Sequence, residues 1–197
     1  MNTTNTTKVR GRPRRFDPDA AVATAQHLFR TYGYDAVSVA DITEALDIKP
    51  PSFYAAFGSK AGLYARVLER YAQTDAIPFT QLLRMDRPVA ESLAALLEEA
   101  ARRYAADRGA SGCLVLEGRH CIDPEAREAS RDQYSAAEAA IRDYIATRYP
   151  DDAERMTDLV STIMSGLSAQ ARNGQPLERL LATARLAGQT IAQALPA

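Results

Sequence analysis

The 197-residue chain contains no tryptophan, only two cysteines and two histidines, and no acidic side chain in its first fifteen residues. Each scarcity excludes something. Two cysteines, Cys113 and Cys121, are too few for a disulfide framework, and their spacing of eight matches no structural zinc pattern. The two histidines, His27 and His120, are accompanied by neither an orienting carboxylate pattern nor a Gly-rich phosphate loop. No catalytic residue, cofactor or metal is therefore expected, and the chain reads as a non-enzyme. No apolar run approaches the ~18 residues of a membrane span, and the first fifteen residues lack the apolar stretch of a secretory signal. The expectation is a cytoplasmic chain with no membrane partner.

What is present suits a globular protein: 46% of residues are apolar and 25% charged, which excludes a disordered chain and allows a buried core. The net charge of -1 conceals an asymmetry. Lys8, Arg10, Arg12, Arg14 and Arg15 give residues 1–15 a charge of +5, which leaves 19 basic and 25 acidic side chains, or -6, for the rest. A basic arm on an acidic body suits a polyanionic partner at one end. Anionic lipid fits poorly, because the arm has no apolar face and no lipidation signal.

Apolar spacing is helical almost throughout, and no alternating strand-like run is found, so the fold class is all-α with about nine helices. Asp17 and Pro18 open the first helix, whose stripe of Ala21, Ala25, Leu28, Phe29 and Tyr32 ends at Gly33. Ser38 and Asp41 form a capping-box-like start for a short helix through Leu46. Pro50 and Pro51 are tolerated only in a first turn, so a third helix runs from about Lys49 to Phe57. Ser59 caps a fourth, with Leu63, Val67 and Tyr71 recurring every four residues. Longer helices follow Val89, Asp123-Pro124 and Met156, and Gly174 and Pro176 separate the last two as an antiparallel hairpin.

The second and third helices are so close that only a tight turn at Asp47-Ile48 joins them, which is helix-turn-helix spacing. Val39, Ile42, Leu46, Ile48, Phe53 and Phe57 read as inward. Lys49, Ser52, Tyr54 and Ala55 read as exposed, with the first turn of the third helix offering backbone N–H groups and side chains to a major groove.

Three stretches, "LFRTYGYDAVSV", "ADITEALDIKPPSFYAAF" and "GSKAGLYARVLERY", occur in order between Phe16 and Tyr71. Through them this segment resembles the DNA-binding domain of the tetracycline-repressor (TetR/AcrR) family of bacterial transcription regulators. The resemblance implies that Tyr54 and Lys60 touch phosphate together with Ser38 and Thr43. It also implies that base edges are read from Lys49 through Ala55, including Pro50 and Ser52. Asp47 stands where the family often has Gly, a position favouring φ > 0 that Asp tolerates better than most residues. Pro50, Pro51, Ala55 and Ala56 stand where polar or small residues are common, so apolar contact to thymine methyls carries more of the readout. "RGRPR", Arg10 to Arg14, resembles an AT-hook core, in which Arg lies along a narrow minor groove.

The organisation expected is a basic arm at 1–15, a DNA-binding domain at 16–71 and an effector-binding and dimerisation domain at 72–197. For the last part the family implies an unidentified small-molecule effector and a homodimer. "GLSAQARNGQPLERLL" resembles dimerisation helices, with Leu159, Ile163, Leu167, Leu180, Ala184 and Ile191 as candidate interface residues. Tyr104, Cys113, Leu116, His120 and Tyr134 are candidate pocket residues, combining polar tips with apolar walls. The overall expectation is a homodimeric repressor, bound to double-stranded DNA at an inverted repeat and released by the effector. Two alternatives stand beside it: a thiol-based redox sensor using Cys113 and Cys121, with a thiolate favoured at a helix start, and an architectural binder of A·T-rich DNA without effector.

Overall fold

The computed structural model describes residues 17–195. Within them the chain is helical and without strands. The first four helices are α1 (Pro18–Tyr32), α2 (Val39–Ala45), α3 (Pro50–Phe57) and α4 (Lys60–Thr74). They are followed by α5 (Phe79–Leu82), α6 (Val89–Tyr104), α7 (Leu114–Gly118) and α8 (Pro124–Ala146). A 3-10 turn at Pro150–Asp152 then leads into α9 (Ala153–Arg172) and α10 (Leu177–Ala194). The expected helices are all present. The single turn α5 is additional; it has no side-chain cap and packs on α6.

Local side-chain chemistry sets four of the helix starts. The Asp17 carboxylate accepts from the backbone N–H of Asp19 and Ala20, and Ser38 and Asp41 form a complete capping box. The Ser59 hydroxyl accepts from the Gly62 N–H, and the Asp123 carboxylate accepts from those of Glu125 and Ala126. Asp47 adopts φ 51°, the left-handed conformation that the tight turn between α2 and α3 requires. Tyr32 departs from the expected stripe: it sits at the last position of α1 with 65% of its surface exposed, because the core beneath α1 ends at Phe29.

Two hydrophobic cores organise the molecule. One gathers Phe29, Ile42, Phe53, Leu63, Tyr64 and Val67, and it also takes in Leu114, Cys121 and Ala126. Thus α7 and the start of α8 pack against α4 and join the core of the head formed by α1–α3. Gly118 permits this close approach, since a Cβ there would overlap Ser130 Oγ and Tyr64 Oη. The other core lies among α6, α8, α9 and α10, around Leu93, Leu96, Leu97, Tyr104 and Ile145. Each of these leucines is fully buried and contributes roughly 1.5–3 kcal/mol. α10 lies tightly along α6, and a Cβ on Gly188 would come within 2.8 Å of Ala94 Cβ.

This packing corrects the dimerisation set. Leu167, Leu180, Ala184 and Ile191 are at most 2% exposed and belong to the chain's own core, whereas Leu159 and Ile163 are half-buried at its edge. An apolar stripe reports which face of a helix is covered, not whose chain covers it. The outward faces carry Thr162, Gly166 and Ala169 on α9 and Thr183, Leu186 and Thr190 on α10. No helix among the described residues is long and apolar enough to cross a membrane.

Candidate nucleic-acid interface and adjoining cavity

α3 is anchored by Phe53 and Phe57, 0% and 7% exposed, and turns Lys49, Pro50, Pro51, Ser52, Tyr54 and Ala55 outward. Its first turn differs from expectation. Pro50 and Pro51 have no N–H, the Ser52 N–H donates to the Lys49 carbonyl at 2.9 Å, and the Phe53 N–H donates to the same oxygen at 3.3 Å. The exposed start of this helix therefore offers side chains and ring methylenes, not backbone donors.

Ser38 is exposed at the start of α2, where its hydroxyl donates to Asp41 Oδ2 at 2.7 Å and accepts from the Asp41 N–H at 3.1 Å. Donation from the Ser38 hydroxyl and backbone holds the Asp41 carboxyl below its ordinary range. Thr43 does not join this surface: it is 6% exposed, and its hydroxyl donates to the Ala40 carbonyl at 3.0 Å. Its position in the second turn of a short helix faces the head's own core. Lys60 is also largely committed. Its ammonium donates to the carbonyls of Tyr34 at 3.0 Å and Val37 at 2.9 Å, and lies 3.9 Å from the centre of the Tyr34 ring. Two of its three protons hold the α1–α2 loop, so its main role here is to fix the head's geometry. Arg10, Arg12 and Arg14 lie outside the described residues.

The loop held by Lys60 also touches the body. The Tyr34 hydroxyl donates to Asp123 Oδ2 at 2.7 Å, and the Ile122 N–H donates to Asp35 at 3.0 Å. Burial, then the Asp123 carboxylate, pushes the Tyr34 phenol far up, so it remains a donor. Reciprocally, the Tyr34 hydrogen bond and the capped N–H groups hold Asp123 below the usual carboxylate range. On the other side of α1, Arg30 donates to the Ala110 carbonyl at 2.7 Å and pairs with Asp75, while Arg172 of α9 donates to the Arg30 carbonyl at 3.0 Å. These contacts were invisible in the sequence because their partners lie 45 to 142 residues apart, where no periodic pattern reaches.

Between α4, α6, α7, α8 and α9 lies a cavity of about 490 Å³. Four of the five expected pocket residues, Tyr104, Cys113, Leu116 and Tyr134, line it. His120 does not. α7 ends at Gly118, so His120 leaves in the following turn and lies exposed beside a separate crevice of about 300 Å³ with Cys121, Glu117 and Arg172. Lining residues not expected include Tyr71 and Ala72 of α4, Glu138 and Ile141 of α8, and Ser161 and Met164 of α9. The four-residue spacing of Tyr134 and Glu138, which brings the Tyr134 hydroxyl 2.5 Å from a Glu138 oxygen, was the available signal.

Cys113 precedes α7, yet its thiol is not activated. Burial pushes it up, outweighing hydrogen bonds from the Leu116 backbone and from the Tyr71 hydroxyl, whose oxygen lies 3.6 Å from Sγ. Cys121 is pushed up to about 11, again chiefly by burial and next by Asp35. Both remain thiols at neutral pH, which corrects the expectation of a thiolate at the helix start.

Residues 21–67 match the family described as bacterial regulatory proteins, tetR family. The chain is 55% identical to the HTH-type transcriptional repressor BdcR of Escherichia coli (strain K12) over 191 residues, covering 97% of each chain. It is 30% identical to the HTH-type transcriptional repressor ComR of the same strain, covering 93% of this chain and 91% of that one. Among solved structures it is similar to a cysteine mutant of the TetR family transcriptional regulator CifR complexed with 26-bp double-strand operator DNA. That similarity has 35% identity and a TM-score of 0.76, and covers 90% of this chain and 98% of the other. With a repressor matched at more than half of all positions along nearly its whole length, the chain belongs to the TetR family of bacterial regulatory proteins.

Proposed function

We propose that the chain is a homodimeric, ligand-responsive transcriptional repressor that binds an inverted-repeat operator and leaves it when a small molecule occupies the cavity. The observation that carries this reading is that one helix serves both ends. α4 begins at Lys60, which holds the loop beside the helix-turn-helix, and its far end supplies Tyr71 and Ala72 to the cavity wall. The repressor names of BdcR and ComR and the operator-bound state of CifR support it.

In this mechanism each protomer sets α3 into a major groove, and the two α3 helices of the dimer lie about one helical turn, ~34 Å, apart. Lys49, Ser52 and Tyr54 supply the polar contacts. Pro50, Pro51 and Ala55 supply apolar contacts of the kind that suits thymine methyl groups. Arg10, Arg12 and Arg14 follow the adjacent minor groove. The protomers pair through the outward faces of α9 and α10, where Leu159 and Ile163 edge a surface of small residues. A ligand that fits better when α4 is tilted weakens operator binding by its differential affinity, commonly ~1–3 kcal/mol.

The test is binding to duplexes selected from a random library. The expected outcome is enrichment of a short inverted repeat, with two protomers bound per site. Selection of A·T-rich sequences without symmetry would overturn this reading in favour of an architectural binder.

A further inference from the structure

We infer that the cavity selects an uncharged, largely apolar molecule bearing a hydrogen-bond donor, and that Glu138 makes it reject anions. This rests on the reading of the cavity as the effector site and specifies what enters it. Among the described residues the wall is mostly alanine, leucine, isoleucine, methionine and aromatic surface, with no lysine, arginine or histidine. A volume of about 490 Å³ suits a drug-sized molecule.

Glu138 is the one carboxylate in that wall. Tyr134 donates to its Oε1, and Oε2 receives no hydrogen bond from the described residues. A carboxylate oxygen has room for further donors, so a hydroxyl or N–H of the ligand can satisfy it with a charge-assisted bond. Arg119 stacks over the Tyr134 ring at 3.6 Å but does not line the cavity, so it offers an entering anion no direct partner. Burial keeps the Tyr71, Tyr104 and Tyr134 phenols and the Cys113 thiol neutral. A sulfonate, phosphate or carboxylate group would thus lose its hydration against a like charge, with no cation in the wall to bond it directly. A cation would meet one carboxylate and no second acid in the wall, and it would give up a hydration shell that a neutral donor does not carry.

The test compares two fluorescent probes that share a skeleton, uncharged phenyl-naphthylamine and anionic anilinonaphthalene sulfonate, on the full chain. The expected result is at least about tenfold tighter binding of the uncharged probe. Glu138→Gln should narrow that gap by raising sulfonate affinity, and Glu138→Leu should weaken the uncharged probe. Ala137→Phe should weaken binding of the uncharged probe by narrowing the cavity, and Ser161→Phe serves the same purpose from α9 should the first variant not fold. Equal or tighter binding of the sulfonate, or a gap unchanged by Glu138→Gln, would overturn the inference. Operator binding is measured on the same preparations without probe. Its loss there would overturn the repressor reading and leave the ligand class standing, whereas its retention alongside equal probe affinities overturns the ligand class alone.

Discussion

Replacing Lys60 with alanine separates two roles that a lysine at this place can have. If it only neutralises a phosphate, its loss weakens operator binding and reduces the slope of log affinity against log salt by about 0.9, while the DNA-free protein unfolds as before. The structure points elsewhere. The ammonium donates at 3.0 and 2.9 Å to the carbonyls of Tyr34 and Val37 and covers the Tyr34 ring at 3.9 Å. Hydrogen bonds to a charged group are worth about 1.5–3 kcal/mol each, and an exposed cation–π contact about 0.5–1 kcal/mol. Lys60 is half-buried, so water replaces part of this on removal and a net loss of about 2–3 kcal/mol is expected. For a chain of this size each kcal/mol lowers the unfolding midpoint by about 2–4 °C, so the drop should be roughly 4–12 °C. The assay is thermal unfolding at fixed protein concentration, paired with operator titrations at several salt concentrations. An unchanged midpoint together with a shallower salt slope would refute the structural role.

Three other outcomes follow from single contacts. Gly118→Ala should destabilise by about 1–3 kcal/mol, because its methyl group overlaps Ser130 Oγ and Tyr64 Oη. Helix propensity alone would instead stabilise by up to ~1 kcal/mol, so the sign of the change in a denaturant midpoint decides. Cys113 and Cys121 should react with iodoacetamide more slowly than free cysteine near neutral pH and accelerate only in alkali, since burial raises both thiols. Modification at the rate of free cysteine would contradict that. Tyr34→Phe should cost about 1–3 kcal/mol at neutral pH, where Asp123 is ionised and accepts from the hydroxyl. Because the folded value of Asp123 is depressed, its contribution is whole above the ordinary carboxylate range and disappears as pH falls through the lowered value. The gap between native and variant unfolding free energies should therefore close on acidification, and a gap independent of pH would show that the carboxylate is not involved.

What was legible in the sequence is local. Asp17 with Pro18, Ser38 with Asp41, Ser59, and Asp123 with Pro124 each satisfy or remove N–H groups within three residues, so the starts of α1, α2, α4 and α8 could be read directly. The turn at Asp47 and the inward Ile42, Phe53 and Phe57 were legible for the same reason. Less could be read where two elements meet. Thr43 and Lys60 have the right types and spacing for a DNA-facing surface, but their polar atoms are taken by the carbonyls of Ala40, Tyr34 and Val37. His120 lies four residues after Leu116, yet Gly118 ends the helix between them, so helical spacing no longer governs where it points. Glu138 has no mark in the sequence beyond its four-residue spacing from Tyr134, and only the packing of α4 and α9 against α8 turns it into a wall of the cavity. Leu167, Leu180, Ala184 and Ile191 show the same limit, since their burial under α6 comes from tertiary placement alone.

The central claim, that two recognition helices are held at the spacing of a DNA turn, is tested most directly by hydroxyl-radical footprinting of the full chain on a selected operator, combined with the mass of the complex. The account predicts two protected blocks related by a dyad, with centres about 10 base pairs or a multiple of that apart, and an even number of protomers per duplex. One protected block bound by a single chain would contradict it.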